Sequence, residues 1–352
     1  DAMEELSNFA IKHNIPVTQT VMGYSTMKRD HSHYAGQIGA LGGKNTNLIA
    51  KQTDLAIAIG TKLGDFTTGS WANFENANFK LVSINVSRFD ANKHLAQAIV
   101  GDAKISLKDL SDALGDWRAG EEWNKKSQIE LAEWNEHIDK ESAPSNQEIP
   151  SYVQVIGAIY KNSDPSDIAV TAAGGLVGEV VQVWRPRELN THETEWGFSC
   201  MSYEISGALG IKMANPNKEV ISFVGDGSYL LNNTDIYSSV ITKNKLIIIV
   251  CDNGGFAVIN RLQLFKGGNE FNNLLKSSNT PGLVDVDFAK HAESMGAKSE
   301  HVNSISDLEE AFKRAKKSDV TYVISIKTHA YQWLEGSAFW DSPTLEIPTT
   351  DE

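Results

Sequence analysis

Short apolar runs, each closed by Gly, Asp or Asn, recur along this chain with stretches of helical length between them. No other feature limits the possible folds so tightly. In the first third the runs are IPVTQTVMG, DLAIAIG at 54–60 and KLVSINV at 80–86, with Gly42 to Thr53 between two of them. In the second half they are DIAVTAA, EVISFVGD, KLIIIVCD and TYVISIKT. Strands alternating with helices require right-handed crossovers and so a parallel sheet with helices on its faces. The expected fold class is therefore α/β, with two Rossmann-like, doubly wound parallel-sheet domains. A charged helical stretch with Trp123, Trp134 and Ile138, followed by ESAPSNQEIP, separates them. The division expected is 1–117 as a first domain, 118–150 as a helical linker, 151–330 as a second domain and 331–352 as a tail. Ser306 with Glu309 three residues on suggests a capping-box start for the helix before TYVISIKT.

Composition narrows the partners. The formal charge of −13 repels nucleic-acid backbones and anionic lipid surfaces, and no apolar run approaches the length of a membrane helix. Neither nucleic acid nor a membrane is expected as a partner. Two cysteines, Cys200 and Cys251, cannot form a disulfide scaffold. With no charged-then-apolar segment at the start, they suggest a cytoplasmic protein.

The chemistry is concentrated in VISFVGDGSYLLNNTDIYSSVITKNKLIIIVCDNGGF. Ile221 to Val224 reads as a buried strand, Gly225-Asp226-Gly227 as a tight turn at its carboxyl end, Tyr229 to about Thr242 as a helix and Lys245 to Val250 as the next strand. Twenty-five residues separate Gly227 from Asn253, enough for one crossover unit. Parallel neighbours lie about 4.8 Å apart and end on one edge, so Asp226 and Asn253 emerge side by side. Two oxygen ligands facing one point suit Mg²⁺, which takes few ligands from protein and the rest from phosphate and water. Gly225 and Gly227 let the backbone approach a bulky anion, and Ser228 opens a helix whose free N–H groups point at it. No Lys or Arg stands in GDGS, so the metal must carry most of the neutralisation. Read without this context, the turn is only a solvated Gly-Asp loop.

GDGS followed after 25 residues by Asn253 resembles the diphosphate and metal motif of the thiamine diphosphate enzymes, the superfamily of acetolactate synthase and pyruvate decarboxylase. That resemblance implies thiamine diphosphate and Mg²⁺ as cofactors. Asp226, the Asn253 side chain and the Gly255 main-chain carbonyl would be the metal ligands. Gly174 and Gly175 of TAAGG would give backbone contacts to the diphosphate, and Gly225, Gly227 and Ser228 would complete its cradle. WGFSCMSYEISGALG resembles the segment that grips the middle of the cofactor, with Cys200 beside it and Met201 propping the two rings into a bent conformation. Ser202 and Glu204 depart from the glycines common at their positions. The first domain resembles the family's middle domain but has no GxGxxG turn for a nucleotide. His31 and His33 in DHSHY are assigned no role.

DFTTGSW, INVSRFDANKH, GFSCMSYE, VINRLQ and THAYQWLEGSAFWD are closer to a subgroup that opens a cyclic, polyhydroxylated 1,2-diketone by carbon–carbon hydrolysis in inositol catabolism. For a small-molecule substrate of that kind, Asn260, Arg261, Gln263, His329, Tyr331 and Trp333 are candidate contacts, and they serve equally well as helix surface and packed tail. The family's chains are longer and carry an amino-terminal pyrimidine-binding domain with a catalytic glutamate. By this resemblance no catalytic residue lies in these 352 residues, and the piece is expected to be inactive alone. Its site would form against the pyrimidine-binding domain of another subunit in a homo-oligomer, a dimer or tetramer, with Phe198 and Tyr203 as candidate contact residues. The alternatives are an acetolactate synthase-like carboligase or decarboxylase, and a non-catalytic nucleotide-binding α/β protein.

Overall fold

The computed structural model describes residues 2–145 and 147–334. In chain order, the first part contributes strands β1 (Val17–Gln19), β2 (Tyr34–Gln37), β3 (Leu55–Ile59), β4 (Lys80–Asn85) and β5 (Gln97–Val100). After a helix over Glu121–Glu141 come β6 (Ile168–Thr171), β7 (His192–Thr194), β8 (Val220–Gly225), β9 (Ile247–Asp252), β10 (Lys298–Val302) and β11 (Tyr322–Lys327). All pairings between these strands are parallel.

The second part is a six-stranded sheet in the order β10-β11-β9-β8-β6-β7. Its four inner strands read as unbroken apolar runs because both faces are covered. Alternate residues serve opposite faces: Ile221, Phe223, Ile247 and Ile249 join Val155, Ile156, Ile159 and Trp184 in one core, whereas Val220, Val224, Ile248 and Val250 join Ile205, Tyr229 and Ile236 in the other. The chain passes from β6 outward to β7 and then returns to the far side of β6 to form β8. That reversal makes the carboxyl ends of β6 and β8 a topological switch point, where open α/β sheets bind ligands.

The first part departs from the single layer expected. It forms two parallel sheets, β1-β2 and β3-β4-β5. A cleft of about 1880 Å³ runs between them, lined by Val17 and Thr18 on one side and Ile57 and Ile59 on the other. Of the apolar run IPVTQTVMG, only Val17–Gln19 is strand.

Other boundaries also move. The helix expected over 229–242 is two helices, Asp226–Leu231 and Asp235–Ile241. Between them Asn232 is extended, and Asn233 Nδ2 donates to the Tyr229 carbonyl, the local competition with which such side chains break helices. The capping box expected at Ser306 lies elsewhere: Ser304 caps a helix over Ile305–Lys317, accepting from the Asp307 amide. A full capping box occurs at Ser151 with Gln154, at the start of the helix Tyr152–Asn162. Of the tail, only residues up to 334 fall within the described residues; GSAFWD lies outside them.

The two parts meet along β7. His192 is buried there, its ring edge-on to Tyr24 at 5.2 Å, and its amide donates to the Ser25 hydroxyl. Burial alone pushes the imidazole down to about 3, and its Nε2 has no partner. A depressed histidine stabilises the fold while neutral and loses that contribution as pH falls from its unfolded value near 6.5 toward 3. Relative to His192→Gln, the wild-type stability from urea denaturation should therefore hold above pH 6.5 and decline below it by about 1.4 kcal/mol per pH unit. A difference independent of pH between 7.5 and 4.5 would show that the ring is not held neutral.

Candidate functional site

β8 and β9 run side by side with Gly225 opposite Cys251, so Asp226 and Asn253 leave the same edge of the sheet within a residue of each other. Both side chains carry an oxygen that is buried and without a hydrogen-bond partner, Oδ1 in each case. The Asp226 carboxylate accepts backbone amides from Gly227 and Gly255. Burial first, and then the charge of Asp252, push it up to about 7. Asp252 itself is paired with Lys327 at 2.6 Å, so no cation among these groups is left for Asp226. Asn253 turns its Nδ2 toward the Tyr152 hydroxyl, to which it donates.

The glycines have separate tasks. Gly255 sits at φ +141°, and a Cβ there would lie 2.5 Å from the Asn273 carbonyl oxygen, so only glycine fits. The neighbouring bridge uses the Phe256 amide on Asn273 and the Leu275 amide on the Gly254 carbonyl. Gly255's carbonyl takes no part in that bridge. A Cβ on Gly227 would meet the Phe256 ring at 2.7 Å and the Met201 methyl at 3.5 Å, which brings Met201 against the Asp226 turn. Gly225 opens onto free space.

The third strand end is that of β6. Gly174, at φ +77° with nothing over it, begins the helix Gly174–Val183, whose first N–H groups are available to an anion. Gly175 is covered: its absent Cβ would fall 1.9 Å from the Trp333 ring, so this glycine admits the indole of the tail. Ser228 is buried and bonds the Glu204 carboxylate. Cys200 is exposed, and its amide donates to Glu195 at 2.7 Å in the turn that presents Met201.

Three residues at this edge escaped the sequence reading. Glu204, noted only as a departure from glycine, is buried, takes the Ala173 amide at 3.4 Å, has an unpartnered Oε2 and is shifted upward by burial. Tyr152 is buried against Asn253 and is held edge-on by Trp333 at 5.6 Å. The Ser151–Gln154 capping box would have placed Tyr152 at a helix start, though not beside Asn253. Glu179, buried and pushed up to about 7 by burial, accepts the Leu334 amide and so fastens the tail to the helix that begins at Gly174.

The candidate substrate residues are engaged within the protein. Asn260 donates to Glu270 at 3.0 Å, Tyr331 to Glu270 at 2.5 Å, and Asn273 to Gln263 at 2.5 Å, while Arg261 lies over Trp333. His329 is tied through its amide to the Pro150 carbonyl. His31 and His33 bond Ser7 and Asn14 respectively. Phe198 is fully open to solvent, whereas Tyr203 packs on the core.

Chemically, the edge presents acceptor oxygens that lack donors, beside a helix N-terminus and open glycine backbone. That donor set fits a hard cation. Among the described residues no group of three His, Cys, Asp or Glu could hold a metal by itself. A cation ligated by Asp226 and Asn253 would need its remaining oxygens from a bound anion and water, and the Gly174 helix can receive such an anion.

Comparison with known proteins agrees with this chemistry. Residues 172–326 match the thiamine pyrophosphate enzyme C-terminal TPP binding domain, and residues 1–110 match the thiamine pyrophosphate enzyme central domain. The chain belongs to the thiamine pyrophosphate enzyme family. Over its whole length it is 34% identical to a 3D-(3,5/4)-trihydroxycyclohexane-1,2-dione hydrolase of Geobacillus thermodenitrificans, covering 59% of that protein. A protein of the same name from Clostridium tetani and a 3D-(3,5/4)-trihydroxycyclohexane-1,2-dione hydrolase 1 from Bacillus cereus are 34% and 35% identical over 97% of this chain, which covers 58% of each. The chain thus spans less than two thirds of the length of these relatives. No helix among the described residues is long and apolar enough to cross a membrane.

A buried carboxylate oxygen without a partner costs stability when no cation is present. Asp226→Asn should therefore raise the thermal midpoint of the metal-free chain at pH 8, by about 2 °C if the gain is near 1 kcal/mol. A lower midpoint would mean that the carboxylate is fully satisfied within the protein.

Proposed function

We propose that this chain supplies the diphosphate- and magnesium-binding part of an enzyme that opens 3D-(3,5/4)-trihydroxycyclohexane-1,2-dione by hydrolysis to 5-deoxyglucuronic acid in myo-inositol catabolism. The observation that carries the reading is the pair of unpartnered buried oxygens on Asp226 and Asn253 at neighbouring strand ends, in a chain with 34% identity to hydrolases of that name. In this reading residues 1–117 form the central domain, 118–150 a helical linker, 151–330 the diphosphate domain and 331–352 its tail.

Asp226, Asn253 and the Gly255 carbonyl would hold Mg²⁺, and the N-terminus of the helix Gly174–Val183 would receive the diphosphate, with Gly225 and Gly227 allowing close approach. Gly175, Ser228 and Cys200 would shape the walls, and Met201 would support the rings from the side of Gly227. Thiamine diphosphate supplies a carbon nucleophile and an electron sink, the two things that cleavage between adjacent carbonyl carbons requires. The part played by this chain is to anchor and orient: it fixes the anionic end and excludes water from it. Its burial of Asp226 strengthens the attraction to a cation by removing competing solvent.

The reading includes a homo-oligomer in the cytoplasm, with the pyrimidine-binding domain of another subunit completing the site. The exposed Phe198, Leu230 and Leu231 near the site support a protein partner on that side.

The test is product analysis with the protein expressed from its complete gene. With Mg²⁺ and thiamine diphosphate it should convert the cyclic dione to a linear acid without releasing CO₂. Asp226→Ala and Asn253→Ala should each lower kcat/KM at limiting metal by about 100-fold or more, the scale of losing several kcal/mol of metal stabilisation. Release of CO₂ from pyruvate, with the dione untouched, would assign the protein to the carboligases instead.

A further inference from the structure

We propose that Tyr152 is a positioning residue that determines which end of the Asn253 amide faces the cation. The proposal rests on the reading of Asp226 and Asn253 as metal ligands.

A side-chain amide has two ends of nearly equal size and opposite character: an acceptor oxygen and a donor NH₂. At a strand end next to that of a buried carboxylate, the amide could turn either end toward the acid. With its NH₂ turned that way it would present hydrogen, not oxygen, to an arriving metal. The structure has the opposite arrangement. Asn253 Nδ2 is committed to the Tyr152 hydroxyl, and the oxygens of both Asn253 and Asp226 lack partners. Tyr152 is the group that takes the NH₂.

The phenol is held where it can do so. Tyr152 is the first residue of the helix Tyr152–Asn162, whose opening turn is fixed by the reciprocal Ser151–Gln154 capping box. Its side chain is buried, and its ring meets the Trp333 indole edge-on, at 5.6 Å and 83°. Trp333 in turn fills the space that Gly175 leaves by having no Cβ, and it lies under the Arg261 guanidinium. Leu334, the next residue, is tied to Glu179 at 3.1 Å. The hydroxyl is thus set by a helix cap on one side and by the docked tail on the other. Tyr152 does not touch the cation in this scheme; it acts through Asn253, as partners of metal ligands do when they fix a ligand's orientation.

The experiment measures Mn²⁺ binding, by electron paramagnetic resonance in the presence of thiamine diphosphate, for the protein from its complete gene. The variants are Asn253→Ala, Asn253→Asp, Tyr152→Phe and the double variant Asn253→Asp with Tyr152→Phe. Tyr152→Phe keeps the ring that packs on Trp333 and removes only the hydroxyl. We expect it to weaken Mn²⁺ binding about 10- to 100-fold, with kcat at saturating metal nearly unchanged. In the Asn253→Asp background the same change should have little effect, because a carboxylate presents oxygen at either end. Equal weakening in both backgrounds would show that Tyr152 shapes the pocket without orienting the amide, and no weakening in either would also overturn the proposal. If Asn253→Ala leaves Mn²⁺ binding intact, Asn253 is not a ligand, and the underlying assignment falls before the question of Tyr152 arises.

Discussion

Everything at this site depends on two oxygens kept out of water without a donor. An isolated buried acceptor is unfavourable, and two of them at adjacent strand ends compound the cost. The sheet bears that cost because its inner strands are covered on both faces. Phe223, Ile247, Ile249 and Val250 are wholly buried, which leaves the ends of β8 and β9 little freedom to relax. Rigid strands below and glycine turns above give the carboxyl edge a fixed set of acceptors. A cation bound there, as proposed, would convert that set from a liability into an anchor.

The same edge distributes charge in a way that explains the lack of basic residues in the turn. Lys327 is spent on Asp252 and Asp285, and Arg261 lies over the tail indole. Asp226 and Glu204 remain without basic partners among the described residues. Such a surplus of acid would repel an anionic ligand alone, which is why the proposed reading sets a divalent ion between it and the protein. The fold places the N-terminus of the helix Gly174–Val183 at the switch point, so that in the proposed reading an anion would meet a metal and a helix end together. Membership of the thiamine pyrophosphate enzyme family accords with this division of labour.

How far the sequence reveals this differs by element. β6, β8, β9 and β11 were legible because strands buried on both faces must be almost wholly apolar. β7 and β10, with sequences HET and KSEHV, lie at the two sheet edges, where one side lacks a neighbour and polar residues are tolerated. Nothing in their composition announces a strand. β2, with sequence YAGQ, is buried yet carries a glycine and a glutamine, and so reads as a loop. At the site, the glycine turn and Asn253 could be found because their spacing spans one crossover unit. Tyr152 could not: it lies 101 residues from its partner, and only the folded chain brings a helix start onto a strand end. The role of Gly175 was likewise hidden, since the tail that occupies its missing side chain arrives from residue 333.

The most direct measurement is a crystal of the protein grown with Mn²⁺ and thiamine diphosphate, with the metal located by its anomalous signal. The account predicts one peak about 2.1–2.2 Å from both Asp226 Oδ1 and Asn253 Oδ1, with diphosphate oxygens completing its shell. A diphosphate bound at this edge with the metal contacting neither side chain, or with the Asn253 nitrogen turned toward the ion, would contradict it.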